Sequence, residues 1–242
     1  MHHNVIKDGA IFVADSHLND EREDLYCFLK DLLKSPPPQL FLMGDIFDLL
    51  IGAFPYLIDK NRKTIEIIEE LGTKTEIYFF EGNHDFLLEN SIKNIKYIPL
   101  SKQPMEFLCN EQKVYLSHGD YSENLLHTIF TSLIRSRQFL FLLHLGTFNF
   151  LNNWFVKKVS KDLKKKKLCS KFENFDKYIE QKIAKTIQSA DIVIEGHYHQ
   201  NCDFFTNNLH YINIAGFACN QSYIVVEFFK DKIKFTTCEY KR

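Results

Sequence analysis

The chain alternates short apolar runs with polar blocks. Five runs stand out: Ile11-Phe12-Val13-Ala14, Leu40-Phe41-Leu42-Met43, Ile77-Tyr78-Phe79-Phe80, Val114-Tyr115-Leu116 and Ile192-Val193-Ile194. Runs of this length, bounded by turn-forming residues, predict buried strands. Strands are expected at 10–14, 39–43, 76–80, 104–108 and 113–117, the last two as a hairpin around Asn110-Glu111. Further strands are expected at 191–195, 209–215, 223–229 and 232–238. Leu25, Phe28, Leu29, Leu32 and Leu33 recur at helical spacing and predict a helix over 20–34, with Asn19 or Asp20 as its cap. Pro36-Pro37-Pro38 stops it before the next strand. A second helix is expected at about 59–71. The order β-α-β-α-β followed by mixed β predicts an α+β fold, with two mixed sheets face to face and helices outside.

The stretch from about 124 to 182 breaks this rhythm. It has no clear strand and reads as several helices, an insertion into a single domain spanning 1–242. Twelve Lys and Arg stand against four Asp and Glu, a local charge of +8 in a chain of net −1, so the remainder carries −9. The same stretch holds Trp154, the only tryptophan, and Phe130, Phe139, Phe141, Phe148, Phe150 and Phe155. Such spacing fits core packing. Combined with the basic charge it favours an anionic membrane surface. Its scarcity of interleaved Arg and its wealth of Phe and Leu argue against a nucleic-acid partner.

A length of 242 residues permits a sizeable core. The N-terminus carries no signal-peptide pattern, and the longest apolar run, 139–151, is too short to span a bilayer. A cytoplasmic location is expected. The six cysteines are scattered without a Cys-x-x-Cys pair, which predicts neither a structural zinc site nor a disulfide framework. Free thiols fit a reducing compartment.

Each apolar run ends in metal-binding residue types. The blocks are Asp15-Ser16-His17, Gly44-Asp45-Ile46-Phe47-Asp48, Gly82-Asn83-His84-Asp85, His118-Gly119-Asp120 and Gly196-His197-Tyr198-His199. Five strands ending in such residues gather distant ligands at one sheet edge. Two divalent ions ~3.5–4 Å apart can bind and split a phosphate ester, and they lower the pKa of a bound water to about 7. Asp15, His17, Asp45, Asn83, His118, His197 and His199 supply the ligand inventory. Two ligand carboxylates and one hydroxide leave a residual positive charge that favours an anionic substrate. Asp, Asn and His donors without Cys suit Mn²⁺, Fe²⁺ or Zn²⁺. Five of the ten histidines lie in these blocks; the other five read as ordinary surface or core residues.

These blocks, in residue type, order and spacing, resemble the five motifs of the calcineurin-like metallophosphoesterases. The resemblance implies a four-layer α/β/β/α sandwich with a helical cap insertion. It implies one ion held by Asp15, His17, Asp45 and His199 and another by Asp45, Asn83, His118 and His197, with Asp45 bridging. It places His84 against the phosphate as a catalytic residue and implies orienting roles for Asp48, Asp85 and Asp120. Mn²⁺ is the ion it implies.

Ala14-Asp15-Ser16-His17-Leu18, Gly44-Asp45-Ile46-Phe47-Asp48 with Ile51-Gly52, and Gly82-Asn83-His84-Asp85-Phe86-Leu87-Leu88 are further similar to the UDP-2,3-diacylglucosamine diphosphatases of lipid A synthesis. The best-known members of that group carry Arg at the position of His84 and Glu at that of Asp48. The resemblance implies hydrolysis of UDP-2,3-diacylglucosamine to UMP and 2,3-diacylglucosamine 1-phosphate at the cytoplasmic face of the inner membrane. Asn83, His84, Lys161, Lys164, Lys167 and His197 would then contact substrate, and the cap would receive acyl chains. No obligate protein partner is expected. A broad-specificity metallophosphoesterase or dinucleoside polyphosphate hydrolase keeps the same ions, and a non-catalytic scaffold keeps only the fold.

Overall fold

A computed structural model describes residues 4–121, 167–187, 189–206, 208–230 and 232–241. The strands are β1 (Ile11–Val13), β2 (Gln39–Leu42), β3 (Leu50–Ile51), β4 (Glu76–Phe80), β5 (Asp85–Phe86), β6 (Lys96–Ile98), β7 (Met105–Cys109), β8 (Gln112–Ser117), β9 (Ile192–Glu195), β10 (Cys202–Thr206), β11 (Leu209–Asn213), β12 (Ser222–Phe229) and β13 (Lys232–Glu239). The helices are α1 (Asp24–Leu32), α2 (Pro55–Lys60), α3 (Arg62–Leu71), α4 (Phe175–Thr186) and α5 (Phe217–Asn220).

Two sheets form the centre. One runs β13-β12-β1-β2-β4-β6 and the other β10-β11-β9-β8-β7. In the first, β1, β2, β4 and β6 are mutually parallel; in the second, β8, β9 and β11 are. Parallel strands covered on both faces read as continuous apolar runs, which is why the runs show no alternation. Their side chains nevertheless divide by parity. Phe12, Phe41, Tyr78 and Phe80 turn inward and meet Phe107, Leu116, Ile194 and Ile212 of the other sheet. Ile11, Val13, Leu40, Leu42, Ile77 and Phe79 turn outward, where Leu25, Phe28 and Leu29 of α1 and Ile65, Ile68 and Leu71 of α3 cover them. On the far side Phe175, Ile179 and Ile183 of α4 cover Val193, Leu209 and Tyr211. The result is the expected layering of helix, sheet, sheet and helix. Ring stacking locks the inner register: Phe12 lies 4.3 Å from Phe41, and Phe41 lies 4.9 Å from Tyr78, each pair nearly coplanar.

Several local details differ from the periodicity. The helix expected over 20–34 begins at Asp24, because Asn19 accepts the Glu21 N–H at 2.9 Å and so closes a turn instead of capping a helix. The helix expected at 59–71 is two helices joined at Asn61, whose amide donates to the Leu57 carbonyl at 2.9 Å. The strands β3, β5 and β6 are only two or three residues long and the edge strand β10 is mixed in polarity, so none stands out in the sequence. Of the expected insertion, 124–166 lies outside the described residues; the described remainder includes most of α4, which packs on the second sheet. No helix among the described residues is long and apolar enough to cross a membrane.

The expectation of free thiols needs correction. Cys169 and Cys219, 50 residues apart, form a disulfide, while Cys27, Cys109, Cys202 and Cys238 are free. Spacing alone could not reveal the pair, since the fold brings the start of α4's approach beside α5. Replacing Cys219 by Ala is expected to lower the unfolding free energy by about 2–5 kcal/mol, read from urea denaturation without reductant. Equal midpoints for the variant and the parent would refute the contribution.

An ionic cluster closes the opposite end of the first sheet. Glu76 accepts from Lys7 at 2.9 Å, from Gln39 at 2.8 Å, from Tyr78 and from Lys96. Burial pushes the Glu76 carboxyl up, but these donors outweigh it and the net result is a value of about 2 against an ordinary 4.5. A carboxyl depressed by folding contributes stability above its unfolded value and loses it as pH falls through the folded one. The contribution should therefore vanish between about pH 5 and pH 2. Glu76→Gln is expected to flatten that part of the pH-stability profile; an unchanged slope in urea melts would contradict it.

Candidate metal centre

The carboxyl ends of β1, β2 and β4 in one sheet and of β8 and β9 in the other converge on one seam. A crevice beyond the carboxyl ends of parallel strands is where open α/β sheets place ligands. The five polar blocks leave the strands there. Five of the seven expected metal ligands have left-handed backbone: Asp15 (φ 52°), His17 (42°), Asp45 (51°), His197 (65°) and His199 (58°). Non-glycine residues rarely adopt this conformation, and clusters of them mark sites where geometry serves function. It turns each side chain sharply off its strand axis into the seam.

Close approach of backbone accounts for two of the glycines. A Cβ on Gly44, itself at φ 87°, would sit 2.5 Å from Nδ1 of His118. One on Gly196 would sit 2.7 Å from Oδ2 of Asp15. Only glycine lets these ligands lie flat against the neighbouring turn.

The side chains assemble into adjoining groups. Asp15, His17 and His199 bring ligand atoms within 4.8 Å of one another, and so do Asp45, His118 and His197. Asp45 stands between them. Its Oδ1 lies 3.5 Å from Nε2 of His118, and its Oδ2 lies 3.9 Å from Nε2 of His17. Asn83 Oδ1 is 3.3 Å from His118 Nε2, and His197 Nδ1 is 3.3 Å from the same atom. Asp15 Oδ1 is 3.1 Å from His199 Nε2. All seven expected ligands therefore meet at one place.

The donor set fits divalent ions. Both ring nitrogens of His17 are buried without a hydrogen-bond partner, an arrangement that costs free energy unless another group occupies the site. Elsewhere the second ring nitrogen is fixed: His118 Nδ1–H donates to the Met43 carbonyl at 2.9 Å and His199 Nδ1–H to the Leu168 carbonyl at 2.7 Å. Each bond turns Nε2 toward the cluster and sets the tautomer a metal needs. Burial presses His118 down, but Asp45 outweighs it and draws the imidazole well upward. Burial also opposes protonation of His199, and Asp15 overrides it. At His17 burial outweighs the pull of Asp45 and Asp15 and takes the imidazole down to about 3. Without ions, protons on His118 and His199 partly neutralise the carboxylates; divalent ions displace them, so binding releases protons.

Surrounding groups hold the ligands. Asp85 accepts the backbone N–H of Asp45, Ile46 and Phe47 at 3.0, 2.6 and 3.1 Å and that of Gly82 at 3.2 Å, pinning the turn that carries Asp45. Asp48 accepts from Arg22 at 3.0 Å, and Arg22 also donates to the His17 carbonyl at 3.1 Å. Asp120 is buried beside Gly119. His84 is buried, its Nδ1–H on the Asp48 carbonyl at 2.8 Å and its Nε2 3.9 Å from Asp45 Oδ2. Sequence reasoning missed Arg22, and the only available signal was its place just after the first block.

A cavity of about 370 Å³ opens over the cluster. His17, Asp45, Asn83 and His197 line it on one side, and Lys167, Lys171 and Phe172 on the other. Of the three expected substrate lysines, Lys167 lines this cavity; Lys161 and Lys164 lie outside the described residues.

Comparison with known proteins points to one family. The family model described as calcineurin-like phosphoesterase matches residues 10–201. A UDP-2,3-diacylglucosamine hydrolase of Coxiella burnetii is 29% identical over 117 residues, 46% of this chain and 46% of its own length. One from Chromohalobacter salexigens is 32% identical over 115 residues, again 46% of each. One from Vibrio atlanticus is 25% identical over 205 residues, covering 81% of this chain and 83% of its own. The match thus spans less than half the length of the first two relatives.

Adding a divalent ion such as Mn²⁺ is expected to raise the melting temperature, since a ligand that binds only the folded state stabilises it. Asp45→Ala should abolish most of that rise. A variant stabilised as strongly as the parent would show that the ions bind elsewhere.

Proposed function

The chain belongs to the calcineurin-like phosphoesterase family, and on that premise we propose that it hydrolyses the diphosphate of UDP-2,3-diacylglucosamine to UMP and 2,3-diacylglucosamine 1-phosphate. The observation that carries the phosphoester chemistry is Asp45, one carboxylate presenting an oxygen to each of two ligand groups. The lipid-linked substrate rests on the relatives, which bear the name UDP-2,3-diacylglucosamine hydrolase.

Asp15, His17, Asp45 and His199 would hold one ion and Asp45, Asn83, His118 and His197 the other, with Mn²⁺ suited to these oxygen and imidazole donors. Two such ions would supply Lewis acidity and an activated water as the nucleophile. The protein's own groups do the rest. Asp85 pins the turn that carries Asp45 and would so keep its carboxylate placed between the two ligand groups. With Nδ1–H committed to the Asp48 carbonyl and Nε2 3.9 Å from Asp45 Oδ2, His84 would turn Nε2 toward the phosphate. It would stabilise charge on the phosphoryl oxygens or assist the departing oxygen. Asn83 and His197 face the same cavity. Lys167 at the cavity wall would meet the polar head, a role the family resemblance also implies for Lys161 and Lys164. The basic, Phe-rich insertion would take the acyl chains and rest on the cytoplasmic face of the inner membrane.

His84 favours a second reading. It stands where the best-known diacylglucosamine diphosphatases have Arg, and a broad phosphodiesterase or dinucleoside polyphosphate hydrolase would use the same ions. A panel of UDP-2,3-diacylglucosamine and soluble nucleotides, run with Mn²⁺, separates the two. The first reading expects UMP release from the lipid substrate well above turnover of any soluble nucleotide; equal turnover would favour the second. His84→Ala is expected to lower kcat by about a hundredfold while metal content stays unchanged. Full activity in that variant would remove His84 from the reaction.

A further inference from the structure

A buried ion pair lies beside the turns that carry His118 and His197. Lys182, on α4, is 5% exposed and Glu195, the last residue of β9, 1%. The Lys182 ammonium lies 2.8 Å from Oε2 and 3.0 Å from Oε1 of Glu195. It also donates to the Gly119 carbonyl at 2.7 Å and to the Tyr198 hydroxyl at 3.1 Å. The rings of Tyr121 and Tyr198 lie 4.3 and 5.1 Å from it. Glu195 in turn accepts from Ser117 and Tyr211, each at 3.0 Å. Every one of the ammonium's three protons thus has a partner.

Such a pair is an expensive way to fill space. Desolvating two charges can cost more than their attraction returns, and apolar residues of equal volume often serve stability as well or better. What an apolar filling could not do is grip the chain on either side of two ligands. Ser117 and Gly119 flank His118. Glu195 precedes Gly196-His197, and Tyr198 lies between His197 and His199. Tyr198 itself donates to the Gly119 carbonyl at 3.1 Å. The network therefore ties the turn after β8 to the turn after β9. Those turns carry His118 and His197, whose facing nitrogens are 3.3 Å apart. His197 (φ 65°) has left-handed backbone, which persists only where its surroundings hold it.

We propose that Lys182 is a positioning residue, which sets the spacing of His118 and His197 and so the affinity of the ion they share with Asp45 and Asn83. This rests on the two-ion reading above. The ion held by Asp15, His17 and His199 depends less on Lys182, because His17 and Asp15 reach the seam from β1, which the network does not touch.

The test is Mn²⁺ titration by calorimetry, with electron paramagnetic resonance to distinguish one bound Mn²⁺ from a coupled pair. The parent should bind two ions. Lys182→Met should keep one near parental affinity and weaken the other by about 10–100-fold, the range typical for groups that orient a metal ligand. Because Lys182→Met leaves Glu195 buried without its partner and can fail to fold, Lys182→Met with Glu195→Leu is measured beside it. That double variant should regain stability yet keep the weakened second ion. Tyr198→Phe, which removes one hydroxyl, should weaken the same ion by a smaller factor. A folded Lys182→Met binding both ions as the parent does, or a double variant that recovers metal affinity together with stability, would overturn the proposal. A parent that binds no Mn²⁺ would instead overturn the two-ion reading.

Discussion

Asp45 keeps its carboxylate buried, 3.5 Å from one imidazole and 3.9 Å from two others. A charge in that position is tolerated only while its surroundings neutralise it and hold it still. Much of the structure answers to this requirement. Asp85 spends both its oxygens on backbone N–H groups of the turn that carries Asp45. The N–H of His84 binds Asp45 directly, and Gly44 clears room for His118 to lie against the same turn. Parallel strands β1, β2 and β4 bring the three blocks of the first sheet to one edge; β8 and β9 bring the other two from the second sheet.

Fold and chemistry meet in the backbone of these turns. Left-handed conformations cost free energy, and five ligands adopt them at once. The cost is offset by the apolar strands behind them, whose stacked Phe12, Phe41 and Tyr78 fix the sheet register. The seam is thus rigid at the strands and shaped at the turns, a division that places ligands with the accuracy a metal site demands. Lys182 and Glu195 grip turns whose own sequences contain nothing stiff.

Legibility differed by scale. The strands at the core were readable because burial on both faces leaves unbroken apolar runs, and the ligands were readable because each follows such a run directly. The short strands β3 and β5, two residues each, depend on pairing with one another and leave no periodicity to read. Helix boundaries shifted for local reasons: Asn19 turned its side chain to a nearby N–H, and Arg22 was drawn away to the His17 carbonyl and Asp48. The disulfide between Cys169 and Cys219 had no signature in spacing.

By itself, the sequence determined the layered α+β architecture, the order of the strands that carry chemistry and the identity of seven polar residues at their ends. Residue type and hydrophobic period are local properties, and these features follow from them. Tertiary structure alone decided which oxygen of Asp45 faces which group, which nitrogens of His118 and His199 are held by a carbonyl, and that a lysine on α4 meets the turns after β8 and β9. Lys182 and Glu195 are 13 residues apart, and Lys182 and Gly119 are 63 apart. No pattern in the chain announces those distances, because they arise only when helix and strands have packed and every buried polar atom has found its partner.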